Sequence, residues 1–178
     1  MIHRRTALLG AAACLARPVL AQGGMPAMTP ARDLDWSYLA DTVMGGVSQG
    51  GARIENGALH LSGTVSTANR GGFIQARCAV ATGFADDVAA LRLRVRGNGE
   101  RYFVHLRTSR TVLPWQYYQQ GFNTGLDWAE VVLPLADFVA SGRMMAGAVR
   151  PGDIRSIGVV AYGRDHQADL WVDAIGVI

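Results

Sequence analysis

The amino-acid sequence predicts an all-β domain, an antiparallel jelly-roll β-sandwich. Apolar residues recur at every second position along much of the chain, and glycine-rich turns separate those runs, with 22 glycines among 178 residues. No ten-residue stretch sustains a 3.6-residue period with caps. Strands that follow one another without helices argue against a parallel α/β sheet and for two antiparallel sheets packed face to face.

Residues 1–21 read as an export signal. His3-Arg4-Arg5 forms a charged start, Thr6–Ala16 is an apolar stretch of 11 residues, and Ala21 precedes a plausible cut before Gln22. Eleven residues fall short of the ~18–20 that a membrane span requires. The adjacent arginines suggest the twin-arginine route and a periplasmic, exported protein. Two alternatives stand beside it: a protein at the cytoplasmic face of the membrane, and a lipoprotein acylated at Cys14. Residues 22–32 (QGGMPAMTPAR) read as a flexible leader. The domain is placed at residues 33–178, long enough to bury ~68% of its unfolded surface in a single core.

Within that domain Ala58–Val65 alternates, and Leu91, Leu93 and Val95 share one face. Tyr102, Val104 and Leu106 continue after the Gly97-Asn98-Gly99-Glu100 turn. Phe73–Cys78, the Val131/Leu133 pair and the Ile157/Val159/Ala161 run extend the pattern, and Leu170, Val172 and Ala174 close the chain. Asn56-Gly57 and Asn98-Gly99 read as hairpin turns, because both central positions of that turn favour positive φ. Leu135–Phe138, after Pro134, predicts one short helical turn.

Composition excludes several classes of function. Two cysteines, Cys14 and Cys78, support neither a disulfide framework nor a multi-cysteine zinc site. Once Cys14 leaves with the signal, Cys78 stands alone, a buried inert thiol in an apolar strand. The formal charge is +3, but the signal segment carries three of the 17 arginines and no acid, which leaves 14 arginines against 14 acids. A neutral chain is a poor phosphate-neutralising surface, so nucleic acid is not an expected partner. All basic residues are Arg; with Ala and Gly also abundant, compositional bias accounts for that. Contact with a membrane is expected to be peripheral at most.

Candidate chemistry is sparse. Gly46-Val47-Ser48-Gln49-Gly50 matches the nucleophile-elbow pattern, with Asp165-His166 downstream as a source of base, but the buried strand and following helix that the elbow needs are missing. His60, His105 and His166 lie on separate segments without metal-ligand spacing, and no metal or cofactor is expected. No acid is singled out for glycoside hydrolysis, and Gly97-Asn98-Gly99 lacks the rest of a phosphate loop. One feature favours binding. Arg92, Arg94 and Arg96 share a face, and hairpin pairing with Phe103, His105 and Arg107 would set cations beside an aromatic. Trp115, Tyr117 and Tyr118 fall on the next strand. Such a face suits an acidic peptide, a polar chain or a sugar, and equally a solvated face paired with local acids.

From Trp36 to Phe73 the residues carry a family likeness. Trp36, the string Asp41-Thr42-Val43-Met44-Gly45-Gly46-Val47-Ser48, then Gly63-Thr64-Val65-Ser66 and Asn69-Arg70-Gly71-Gly72-Phe73 resemble the complex I intermediate-associated protein family. Val95-Arg96-Gly97, Phe122-Asn123-Thr124, Trp128 and Leu133–Phe138 extend the likeness over nearly the whole domain. The resemblance implies a galactose-binding-like jelly roll without catalytic residues. It also implies an assembly or folding role toward a protein partner, such as a subunit of NADH:ubiquinone oxidoreductase. An exported copy would face the opposite side of the membrane from those factors. A carbohydrate-binding module of the envelope is the alternative. Expected contact residues are Asp41, Met44, Ser48, Asn69, Arg70, Arg94, His105, Trp115 and Tyr118. The glycine pairs of the two strings permit close backbone approach, and an Asp41–Arg70 ion pair would clamp the two loops together.

Overall fold

The computed structural model describes residues 28–142, 145 and 147–178. Residues 1–21, read above as an export signal and including Cys14, and residues 22–27 of the expected leader lie outside them. Twelve strands follow in order: β1 (Thr29–Pro30), β2 (Trp36–Ala40), β3 (Gln49–Glu55), β4 (Ala58–Val65), β5 (Phe73–Ala79), β6 (Ala90–Gly97), β7 (Arg101–Thr108), β8 (Tyr118–Asn123), β9 (Ala129–Pro134), β10 (Val139–Ala140), β11 (Ile154–Tyr162) and β12 (His166–Val177). They form two antiparallel sheets. The first runs β3-β4-β12-β6-β9, with β1 added to β12; the second runs β10-β8-β7-β11-β5-β2. This is the jelly-roll β-sandwich that the alternation predicts.

The core lies between the layers. Leu59, Leu61, Leu91, Leu93, Val95, Leu170 and Val172 from the first sheet meet Ile74, Ala76, Tyr102, Val104, Leu106, Ile157 and Val159 from the second. Most strands contribute alternate residues, so one face of each sheet turns to the core and the other outward. Tyr102 carries a polar group into this core. Its hydroxyl donates to Asn98 Oδ1 (2.7 Å) and accepts from the Asp169 amide (2.8 Å). Burial pushes its pKa up to about 12.

Four details depart from the sequence reading. Order begins earlier than Asp33: Thr29 and Pro30 pair with Ile175 and Ala174, and Ala31 is fully buried. Asn56-Gly57 is a hairpin turn with φ of 50° and 82°, but Asn98-Gly99 is not. Its strands belong to different sheets, because β6 pairs with β12 and β9 while β7 pairs with β11 and β8. The turn is an arch across the sandwich. Asn98 Nδ2 holds it by donating to the Gln167 carbonyl (2.8 Å). Arg92, Arg94 and Arg96 therefore lie on the outer face opposite to that of Phe103, His105 and Arg107, and the joint cation–aromatic face does not exist. Finally, a bulge between Val172 and Ala174 shifts the phase of β12, so Ile175 rather than Ala174 follows Val172 into the core. The predicted turn after Pro134 is present as a 3-10 turn at Leu135–Asp137.

Candidate binding groove

The two outer faces differ in kind. On the first sheet the charges are internally paired. Arg94 pairs with Asp173 (2.9 Å), and Arg96 lies over Trp128 and Trp171, 5.1 and 4.7 Å from the ring centroids. Trp171 stacks on His60 at 3.9 Å, and the His60 nitrogens meet Glu55 (2.8 Å) and Asp169 (2.9 Å). Cations, rings and acids of this face contact one another there.

The second sheet instead carries a groove of about 850 Å³. Its floor is built by register: Gly158 on β11 faces Arg77 of β5 on one side and His105 of β7 on the other. Gly158 has no side chain to fill the centre, and a Cβ there would touch Gln75 at 3.5 Å. One wall comes from Leu39, Val43, Met44, Arg70 and Phe73, and the other from Trp115, Tyr117 and Ser141. Trp115 is 64% exposed and Met44 62%, and together with Val43 at 65% they form an apolar rim to the groove.

The floor is aromatic. His105 is only 7% exposed and stacks on Tyr117 with centroids 3.9 Å apart. Tyr162 meets His105 edge-on at 5.6 Å. Burial, against a smaller pull from the Gln119 amide, lowers the His105 pKa to about 3, so the ring is neutral at physiological pH. Its Nε2 has no hydrogen-bond partner among the described residues. Burial and the neighbouring Tyr162 hydroxyl raise the Tyr117 phenol well above its ordinary value.

The first wall is held from behind by Asp41. This carboxylate is fully buried and accepts four hydrogen bonds: from Ser48 N (3.0 Å), Ser48 Oγ (2.5 Å), Gly72 N (2.5 Å) and Phe73 N (3.2 Å). Burial works against its charge, but these donors outweigh it and hold the carboxyl below the usual range. A side chain at Gly46 or Gly71 would overlap the Asp41 carboxylate, which explains the glycine in each string. The lock therefore ties the Asp41–Met44 turn to the loop before β5, and these two segments present Met44 and Arg70 to the groove.

The expected contact residues thus divide. Met44, Arg70, His105 and Trp115 line the groove. Asp41 and Ser48 form the lock behind it. The Asp41–Arg70 ion pair does not form: Asp41 is taken up by Ser48 and backbone amides, and Arg70 faces the groove with a φ of 61°. Asn69 is exposed on the loop with a φ of 56°, Arg94 lies on the opposite face, and Tyr118 points into the core at 3% exposure. Tyr117, one residue earlier, is the groove residue. Ser48 forms no elbow: its Oγ is bonded to Asp41, Asp165 accepts from Thr67, and His166 Nδ1 faces the Arg164 carbonyl. Cys78 is buried, its pKa raised to about 11 by desolvation. No group of three or more potential metal ligands occurs among the described residues.

The glycines packed around a buried aspartate fall in the two strings that carried the family likeness. The model of the Complex I intermediate-associated protein 30 (CIA30) family matches residues 27–171. The chain belongs to this family. No curated protein matches it by sequence. Among solved structures it is similar in fold to the family 11 carbohydrate-binding module of the cellulase Lic26A-Cel5E of Clostridium thermocellum. The TM-score is 0.69 at 16% identity, covering 85% of this chain and 93% of that one. A structure of the family 11 module from the same organism in complex with a β-1,3-1,4-mixed-linked tetrasaccharide gives 0.67 at 16% identity, covering 85% and 94%. The family 30 module of Cel9D-Cel44B from that organism gives 0.54 at 13%, covering 82% and 91%. At these identities the likeness is one of fold. This CIA30 member shares its sandwich with carbohydrate-binding modules and builds its groove from its own side chains.

Proposed function

We propose that this CIA30 member is a non-catalytic binding protein that assists the assembly or folding of a protein partner, and that it grips a segment of that partner in the groove of the second sheet. The observation that carries the reading is the exposed aliphatic and aromatic rim of the groove. Val43, Met44 and Trp115 are each more than 60% exposed, beside an aromatic floor of His105, Tyr117 and Tyr162. The aliphatic and thioether side chains of the rim suit the side chains of an extended peptide. Family membership supports the same reading, with a respiratory-complex subunit as the kind of partner its name indicates. We place the protein in the periplasm on the strength of residues 1–21, and cell fractionation tests that placement.

A photo-crosslinking residue at position 115 in living cells tests the groove. A discrete protein adduct, absent when the same residue replaces Arg94, supports the proposal; adducts of equal yield from both faces, or none, reject it. A second reading, a glycan ligand, draws on the exposed Trp115 ring and on the fold shared with the tetrasaccharide-binding module. A glycan array giving Trp115-dependent signal, without protein adducts, would favour it.

A further inference from the structure

A second, smaller pocket of about 400 Å³ opens at one end of the groove. Arg77, Arg107 and Ser156 line both, so the two are continuous. Arg155 completes a set of three guanidiniums around the pocket, with Ser37, Thr108 and Thr111. Among the described residues none of the three arginines has an ion pair; elsewhere Arg53, Arg94, Arg110 and Arg164 pair with acids, whereas the exposed Arg70, Arg101 and Arg150 do not. Carbonyls, not carboxylates, hold two of them in place. Arg107 donates to Pro114 O (3.0 Å), Leu113 O (3.1 Å) and Thr111 O (3.4 Å), and Arg155 donates to Gly152 O (2.8 Å) and Ile154 O (2.9 Å). Carbonyl bonds orient a guanidinium and leave its full charge in place. Asp35 is the one acid lining the pocket, and it has no ion pair with any of them. The groove proper has no acid in its lining among the described residues. Burial, and after it the neighbouring Arg77 cation, lowers the Arg107 pKa.

We infer that this pocket is an anion subsite, and that the segment the groove takes is acidic, placing a carboxylate among Arg77, Arg107 and Arg155 while its apolar side chains meet Trp115, Tyr117 and Met44. The inference rests on the groove reading above and adds the charge of the partner segment. Arg77 is the free arm, since it makes no hydrogen bond to the described residues, and Arg107 and Arg155 are the fixed sides. Because Arg107 also ties down the 111–114 loop, the same contact couples carboxylate binding to the position of Trp115.

The test uses the full chain and fluorescein-labelled ten-residue peptides that alternate Leu with Glu, or Leu with Gln, read by fluorescence anisotropy at low salt. The account predicts that the Glu peptide binds at least tenfold more tightly than the Gln peptide. It also predicts that salt removes the preference and that Arg77→Gln with Arg155→Gln abolishes it at an unchanged melting midpoint. Equal binding of the two peptides overturns the inference. So does an Arg77-dependent preference for oligogalacturonate, a carboxylated sugar chain, with no peptide binding. If neither peptide binds while position 115 still gives its protein adduct, the acidic-segment inference fails and the groove reading stands; if the adduct is lost as well, both fail.

Discussion

Replacing Asp41 by alanine removes the acceptor of three buried backbone amides, those of Ser48, Gly72 and Phe73. A buried donor without a partner costs ~1–3 kcal/mol. Water entering the vacated space recovers part of that cost, and Ser48 Oγ keeps the Ser66 carbonyl at 3.3 Å. The net loss is therefore ~3–5 kcal/mol, which for a domain of this size lowers the melting midpoint by about 10 °C. Asp41→Asn keeps one oxygen but turns an amide NH2 toward backbone donors, so it costs ~2 kcal/mol. Arg70→Ala, at a residue that makes no bond to Asp41, should stay within ~0.5 kcal/mol of the parent. Calorimetry and urea unfolding of the three variants measure the series. The reasoning fails if Asp41→Ala melts within about 2 °C of the parent, or if Arg70→Ala is as damaging as Asp41→Ala, which is the result that a clamp between those two residues would give.

Other outcomes follow from the same geometry. The Asp41 pKa lies lower in the folded chain than in the unfolded one, so its stabilising contribution is complete above the unfolded carboxylate value and is lost as pH falls toward the folded one; urea midpoints should drop between pH 6 and pH 3, and less steeply in Asp41→Asn. Tyr102→Phe leaves the Asp169 amide and Asn98 Oδ1 without their shared hydroxyl and should cost ~1–2 kcal/mol in urea unfolding. His105→Phe removes an unpartnered ring nitrogen but also the hydrogen bond to the Gln119 side chain, so it should cost ~1 kcal/mol of stability while reducing adduct yield from position 115. Gly158→Val puts a branched side chain on the groove floor, where a Cβ meets only ordinary contacts, and should block partner capture with little change in melting midpoint.

The fold was legible where alternation is strong. Leu59/Leu61, Leu91/Leu93/Val95 and Val104/Leu106 each name the inner face of a strand without help from tertiary structure. Strand partners were not legible at Gly97–Glu100, because a tight turn serves a hairpin and an arch between sheets equally well. The choice was made by distant residues: β6 found β12 and β9, and β7 found β11 and β8. The phase error at Tyr117 and Tyr118 has the same origin. Both residues are aromatic, the local pattern does not choose between them, and a shift of one residue exchanges core for groove. Trp115, Met44 and His105 could be suspected from residue type. Gly158 could not, since its importance lies in the register that sets it between Arg77 and His105. Nor could the role of Asp41 be read fully: the strings put an acid near paired glycines, but the glycines pack against its carboxylate rather than merely bending the loop.

The most direct test of the groove as the contact surface is hydrogen–deuterium exchange on the complex trapped through position 115. The account predicts slowed exchange in the Asp41–Met44 turn, the loop before β5 and the 109–117 loop, with strands β6 and β9 of the first sheet unchanged. Protection centred on Arg92–Arg96 and Trp128–Val132, with the groove loops exchanging as in the free protein, would contradict it.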